Sequence, residues 1–172
     1  MSDVYGLLSE LQVLIFHDCI DFPKCVLYAN MSNITIVVID GQGGGIGAHI
    51  IEKLQKNLPD ESLEKIDIIA LGTNAIATSL MMKAGANRAA TGENSIVRAS
   101  GLADIIIGSW AIIVPNSMLG ELTPPMAGAV SSSNAKKLLI PLPQQGIELI
   151  GLTPEPFPHM IDKLIDRIKR II

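Results

Sequence analysis

Apolar residues follow two patterns along this chain, and the two patterns alternate. Short, nearly continuous apolar runs are typical of strands buried on both faces of a parallel sheet. Segments whose apolar residues recur every three or four positions are typical of helices that pack on one face. The runs that predict strands are 34–39, 66–71, 88–90, 104–107 and 137–142, and the segments that predict helices are 46–58, 75–84, 94–102, 124–133 and the segment from Pro158 onward.

This alternation predicts an α/β fold, in which a mostly parallel sheet is doubly wound as in Rossmann-like domains. The length suits a single domain, which we place at residues 31–172. We expect 147–150 to form an antiparallel edge strand beside 137–142, and 110–114 to be extended. Residues 1–30 differ in pattern, and two hypotheses stay open for them: an N-terminal extension outside the core, or a helix that packs on the sheet or on a partner.

Composition excludes several classes of protein. The net charge is −4, and the 13 basic residues are scattered, so a nucleic-acid-binding surface is not expected. No apolar run reaches the roughly 20 residues that a membrane-spanning helix needs, so we expect no membrane partner. The two cysteines, Cys19 and Cys25, predict no disulfide framework for the core, and the cytoplasm is the simplest compartment.

The most informative segment is the glycine-rich turn that follows the first predicted strand and opens the first predicted helix. Such a turn lets a phosphate approach the backbone closely and points free amide groups at it. The candidate ligand-binding residues of this turn are Asp40, Gly41, Gln42, Gly43, Gly44, Gly45, Ile46 and Gly47. Asp40 is discordant, because a carboxylate repels phosphate. It either ligates Mg²⁺ or accepts hydrogen bonds from the turn, and both roles stay open.

Further polar candidates lie in loops that we expect at the same edge of the sheet. Those included in the predicted ligand site are Thr73, Asn74, Thr91, Glu93, Asn94, Asn116 and Ser117. Each has an alternative role as a helix cap or turn residue. Glu93 and Glu121 are also candidates to hold Mg²⁺ together with Asp40. No catalytic residue and no dedicated metal site is predicted.

The positions of Gly41, Gly45 and Gly47 resemble the GxxxGIG turn of short-chain dehydrogenases and reductases. This resemblance implies NAD or NADP as the ligand, with its pyrophosphate at these glycines. The catalytic tyrosine and lysine of that family have no counterpart, because Tyr5 and Tyr28 both lie outside the predicted core. The end of the second strand also lacks the carboxylate that usually binds the adenosine ribose.

Nearly the whole chain after residue 34 is also similar to a bacterial domain family of unknown function. The segments that carry this resemblance are IDGQGGGIG at 39–47, ALGTNA at 70–75, AGAN at 84–87, TGEN at 91–94, NSMLGE at 116–121 and Pro158 with His159. The resemblance implies a Rossmann-like fold and no particular activity. A fainter similarity to the bacterial tubulin relative fails at 109–115, where that protein has a glycine-rich phosphate loop.

The leading hypothesis is therefore a protein that binds a nucleotide or dinucleotide, with the NAD(P) type favoured. One alternative is a Mg²⁺-dependent nucleotide or phosphate-ester enzyme, or a tubulin-like GTP binder. Another is a ligand-sensing interaction protein, which exposed apolar residues near 118–126 would support. Whether the chain catalyses a reaction, and whether it forms a homo-oligomer, stay open.

Overall fold

The structure is a computed structural model, and it describes residues 34–144, 146–153 and 155–172. Five strands and six α-helices follow one another in these residues. The strands are β1 (Ile34–Asp40), β2 (Ile66–Gly72), β3 (Arg88–Thr91), β4 (Ile105–Ser109) and β5 (Lys136–Ile140). The helices are α1 (Gly45–Asn57), α2 (Asp60–Leu63), α3 (Ala75–Lys83), α4 (Glu93–Ser100), α5 (Pro124–Ser132) and α6 (Phe157–Lys169).

All five strands are parallel and lie in the order β3-β2-β1-β4-β5. The chain builds outward from β1 to β3 and then crosses back, so that β4 lies on the other side of β1. This reversal of strand order creates a crevice between the loops that follow β1 and β4. The α/β class, the parallel sheet and the Rossmann-like arrangement are thus confirmed.

The sheet is buried on both faces, which explains the continuous apolar runs. Along β1, Ile36 and Val38 face the side covered by α1, α3 and α6. Their neighbours Val37 and Ile39 face the side covered by α4 and α5. All four side chains are 1% exposed or less, so β1 is the centre of the core.

Two predicted strands are wrong. Residues 110–113 form a short 3-10 helix, in which Ala111 and Ile112 are fully buried and the indole N–H of Trp110 donates to the carbonyl of Leu142. In the predicted edge strand, the described residues make a single antiparallel bridge between Gln144 and Ile147. Gly146 has a φ of 76°, so the chain reverses there before a strand can form.

The predicted extension 1–30 lies outside the described residues, as do Cys19, Cys25, Tyr5 and Tyr28. No helix in the part of the chain that the structure describes is both long and apolar enough to cross a membrane.

Candidate functional site

The glycine turn occupies residues 41–44, between the end of β1 and the start of α1. Its last residue, Gly44, has a φ of 71°, in the left-handed region that favours glycine. A side chain there would also place its Cβ 2.5 Å from the Cα of Ala77 in α3. The turn is closed by a hydrogen bond of 2.9 Å from the amide of Gly44 to the carbonyl of Gly41.

Asp40 lies beneath this turn and is 5% exposed. One carboxylate oxygen accepts the amide of Gly41 at 2.8 Å, and the other accepts the amide of Gly47 at 2.7 Å. Burial raises the pKa of Asp40, the amide hydrogen bonds partly oppose this effect, and the negative charge of Glu121 adds to it. Of the two roles left open by the sequence, the structure therefore shows the second, because both carboxylate oxygens hold the turn in shape.

Glu121 bonds to the outer side of the turn, although it is 79 residues from Gln42 in the chain. Its Oε2 atom accepts three hydrogen bonds. The donors are the hydroxyl of Thr73 at 2.5 Å, the amide N–H of Gln42 at 2.8 Å and the side-chain amide of Asn74 at 2.8 Å. These bonds lower the pKa of Glu121, chiefly the one from Thr73, so the side chain stays ionised.

Thr73 and Asn74 follow β2, beside the turn, because Asp40 pairs with Gly72 in the parallel sheet. Asn74 caps α3, since its side-chain oxygen accepts the amide of Ala77 at 2.9 Å. Its side-chain nitrogen also donates to the carbonyl of Gln42 at 2.9 Å. Of the alternatives left open by the sequence, the capping role of Asn74 is thus present, and the same side chain also contacts the turn.

Gln42 has a φ of 53°, which is uncommon for a residue with a side chain. Its amide is bound by Glu121 and its carbonyl by Asn74, so both ends of the residue are fixed. These two hydrogen bonds hold the turn in its conformation at Gln42.

The glycines of the turn fall into two groups. Gly41, Gly44 and Gly47 are buried, and a Cβ at any of them would collide with neighbouring atoms. At Gly41 these atoms are the Thr73 hydroxyl oxygen at 2.6 Å and the Met118 sulfur at 2.7 Å. Gly43 and Gly45 are exposed, and a Cβ at either would meet nothing within 4 Å. The amides of Gly43 and Gly45 donate to no acceptor among the described residues.

Thr91, Glu93 and Asn94 do not join this cluster. The hydroxyl of Thr91 bonds that of Thr78 at 2.7 Å, and Glu93 accepts the hydroxyl of Thr123, which caps α5. Asn94 lines a separate cavity with Arg88 and Arg98. The expectation that Thr91 or Asn94 caps α4 is wrong, because Gly92 occupies the cap position and no side chain bonds there.

Asn116 and Ser117 lie close to the turn. Together with Gln42 and Gln144 they line a cavity of about 350 Å³. The hydroxyl of Ser117 donates to the carbonyl of Ala111 at 2.7 Å, which fixes the start of the segment that carries Glu121. Both residues thus border the turn from the loop that follows β4.

The apolar residues between 118 and 126 do not form an exposed patch. Leu122 and Met126 are buried, Met118 is partly buried, and Leu119 is 93% exposed. In the described ranges, no three His, Cys, Asp or Glu side chains are grouped closely enough to hold a metal ion. Neither the interaction-protein hypothesis nor the Mg²⁺ hypothesis gains support from these observations.

Three comparisons with known proteins bear on this site. The family model described as a domain of unknown function, DUF3842, matches residues 35–172. No curated protein matches the sequence. A crystal structure of a universal stress protein in complex with cAMP matches with a TM-score of 0.36 and 18% identity, over 64% of this chain and 98% of that one. A similarity this weak identifies no ligand.

Proposed function

This chain belongs to the family described as domain of unknown function DUF3842, and we propose that it binds a nucleotide or dinucleotide at the glycine turn. NAD(P)-type dinucleotides are the favoured ligands. The proposal concerns binding, and no catalytic step is assigned to the chain.

The observation that carries this proposal is the exposed pair Gly43 and Gly45. Neither has the positive φ that calls for glycine, and neither is crowded. Glycine in an ordinary conformation lowers stability by about 0.5 to 1 kcal/mol relative to alanine, because the unfolded chain is freer. A ligand that approaches the backbone closely would explain glycine at these positions, since any side chain would block its approach.

The residues fit a phosphate group at this point. The amide of Gly45 is the first of a 13-residue helix and Gly43 lies two residues before it, so the helix dipole favours an anion there. The charge of Asp40 lies on the inner side of the turn and is bound by two other amides. It therefore leaves the amides of Gly43 and Gly45 to a ligand. The negative charges of Asp40 and of Glu121, which accepts the amide of the neighbouring Gln42, make the phosphate contact weaker than in a neutral turn.

The position in the sheet supports a nucleotide in particular. In doubly wound sheets, ligands bind beyond the carboxyl ends of the strands where the strand order reverses. The turn follows β1 at this reversal, and the order β3-β2-β1-β4-β5 is that of dinucleotide-binding sheets. Together with the resemblance of the turn to that of short-chain dehydrogenases, this order favours NAD or NADP.

A panel of ligands tests the proposal on the full chain. We would measure thermal stabilisation and then calorimetric affinity for NAD, NADP, ATP, GTP, FMN and coenzyme A, each with and without Mg²⁺. We expect stabilisation by NAD or NADP without Mg²⁺. Stabilisation by ATP or GTP that depends strictly on Mg²⁺ would instead support the phosphoryl-enzyme or GTP-binding alternatives.

A matched pair of variants ties the binding to the turn. Gly45→Leu places a bulky side chain over the outer amides, and we expect at least a tenfold loss of affinity with an unchanged melting temperature. Gly128→Leu is the control, because Gly128 is an exposed helical glycine with equally open surroundings. No stabilisation by any ligand, or equal affinity in Gly45→Leu and the wild type, would contradict the proposal.

A further inference from the structure

The two carboxylate oxygens of Glu121 differ in the number of hydrogen bonds that they accept. Oε2 accepts three donors, from Gln42, Thr73 and Asn74. Oε1 accepts none from any residue that the structure describes. An ionised carboxylate has about four acceptor sites, so this side chain keeps acceptor capacity beside the glycine turn.

The segment that carries Glu121 is built to hold it in place. Residues 114–123 connect the 3-10 helix after β4 to α5, and within them Asn116, Met118 and Leu119 all adopt positive φ. Hydrogen bonds close this segment on itself, including one of 2.8 Å from the amide of Asn116 to the carbonyl of Leu122. The carboxylate therefore reaches from the loop after β4 across to the loops after β1 and β2 as a fixed group.

Among the described residues, no lysine, arginine or histidine forms an ion pair with Glu121. A phosphate in direct contact with the carboxylate oxygens would meet a second anion with no cation between them, which is unfavourable. A hydroxyl, in contrast, donates to a carboxylate in a strong charge-assisted hydrogen bond.

We propose that Glu121 accepts the hydroxyl groups of an unphosphorylated ribose, and that it thereby selects nucleotides with a free 2′,3′-diol over those with a 2′-phosphate. This inference rests on the proposed function, because it assumes that the ligand's phosphates lie on the amides of Gly43 and Gly45. The ribose next to such a phosphate then lies beside Gln42 and Thr73, where the carboxylate is held. In this arrangement NAD binds more tightly than NADP.

The lowered pKa of Glu121 is consistent with this role, since the group remains an acceptor throughout the neutral range. Thr73 and Asn74 act as positioning residues, because they hold Oε2. A carboxylate placed in this way supplies from the loop after β4 the acceptor that the end of β2 lacks.

The test compares ligands that differ in a single group, measured by calorimetry on the full chain. The affinities for ADP and 2′-deoxyADP differ only through the 2′-hydroxyl, and those for NAD and NADP only through the 2′-phosphate. In the wild type we expect at least fivefold tighter binding of ADP than of 2′-deoxyADP, and at least tenfold tighter binding of NAD than of NADP. In Glu121→Gln, whose shape is nearly the same, we expect both ratios to fall towards one.

Glu52→Gln serves as the control for net charge, because Glu52 is exposed in α1 and has no hydrogen-bonded partner in the described residues. Its ratios are expected to match those of the wild type. If Glu121→Gln binds every nucleotide more tightly than the wild type, Glu121 occupies the ligand's place and the inference is overturned. Unchanged ratios overturn it as well.

The same measurements separate this inference from the proposed function. Binding to the wild type that is lost in Gly45→Leu, combined with ratios that Glu121→Gln does not change, leaves the proposed function standing and removes only the inference. If neither the wild type nor Glu121→Gln binds any of the four nucleotides, the inference is wrong. The proposed function is wrong as well if the wild type binds no other ligand of the panel.

Discussion

The carboxylate of Asp40 accepts the amide of Gly47 at 2.7 Å, which joins the last residue of β1 to the first turn of α1. The other carboxylate oxygen accepts the amide of Gly41 at 2.8 Å. Four amides at the start of a helix have no partner within the helix, and a buried amide without an acceptor is costly. Asp40 therefore closes the glycine turn from inside the domain.

Asp40→Ala should leave the buried amide of Gly47 without its acceptor. We expect the free energy of unfolding in urea to fall by about 2 to 3 kcal/mol. Asp40→Asn keeps one acceptor oxygen and should lose less. Asp166→Ala, at an exposed position of α6, is the control and should change stability by less than about 0.5 kcal/mol. Equal losses in Asp40→Ala and Asp166→Ala would contradict this role.

The raised pKa of Asp40 predicts a particular pH dependence. Because burial disfavours the charged form, the folded protein binds this proton more tightly than the unfolded chain does. The resulting stabilisation is complete below the ordinary aspartate pKa of 3.8 and is lost as the pH rises through the raised pKa. The wild type should therefore lose stability relative to Asp40→Asn over that range. A difference between the two that stays constant with pH would show that the pKa is not raised.

The two groups of glycines should respond differently to alanine. At Gly47 a Cβ would lie 2.9 Å from the Cβ of Asp40 and also against the side chain of Met81. We expect Gly47→Ala to lower the free energy of unfolding by about 1 to 3 kcal/mol. Gly43→Ala should be neutral or slightly stabilising, because its surroundings are open. Urea unfolding of both variants checks this, and a destabilised Gly43→Ala would assign that glycine a structural purpose.

The sequence predicted the fold well because the dominant signals are local. The apolar runs of β1 and β2, the cap at Asn74 and the start of α5 at Pro124 depend on neighbouring residues, and each lies where it was predicted. The prediction that 110–114 is extended was wrong, because a short apolar run suits a buried 3-10 helix as well as a strand.

The candidate site was predicted less completely, for a physical reason. The segment that contains the turn was evident from its glycines, but the partner of Gln42 lies 79 residues away. The sequence offered Glu121 only as an alternative to Glu93 for holding Mg²⁺ with Asp40, and not as a partner of the turn. Nothing in local spacing indicates that a loop after β4 crosses to β2, since that contact depends on strand order and on the positive φ values of 116–120.

The left-handed conformation of Gln42 predicts a stabilising substitution. At such a φ, a residue with a side chain destabilises the folded state by about 1 to 2 kcal/mol, and glycine does not. Because glycine also makes the unfolded chain freer, Gln42→Gly should raise the free energy of unfolding by about 0.5 to 1 kcal/mol. Gln42→Ala keeps the strained conformation and should not stabilise. Urea denaturation compares the three proteins, and equal stability of both variants would contradict the explanation.

Glu121 predicts a pH dependence opposite to that of Asp40. Hydrogen bonds to its charged form lower its pKa from 4.5, so its contribution to stability is present above that value and is lost as the pH falls through the lowered pKa. Near pH 7, Glu121→Gln should be less stable than the wild type by about 1 kcal/mol, since a partly exposed charged hydrogen bond is worth little more. Below pH 4.5 the difference should shrink.

Thr73→Val, which removes the shortest of the three bonds, should raise the pKa of Glu121 and move this loss of stability to higher pH. Chemical denaturation of the three proteins between pH 3 and 7 measures both effects, and a difference that widens on acidification would show that Glu121 is not held in its charged form.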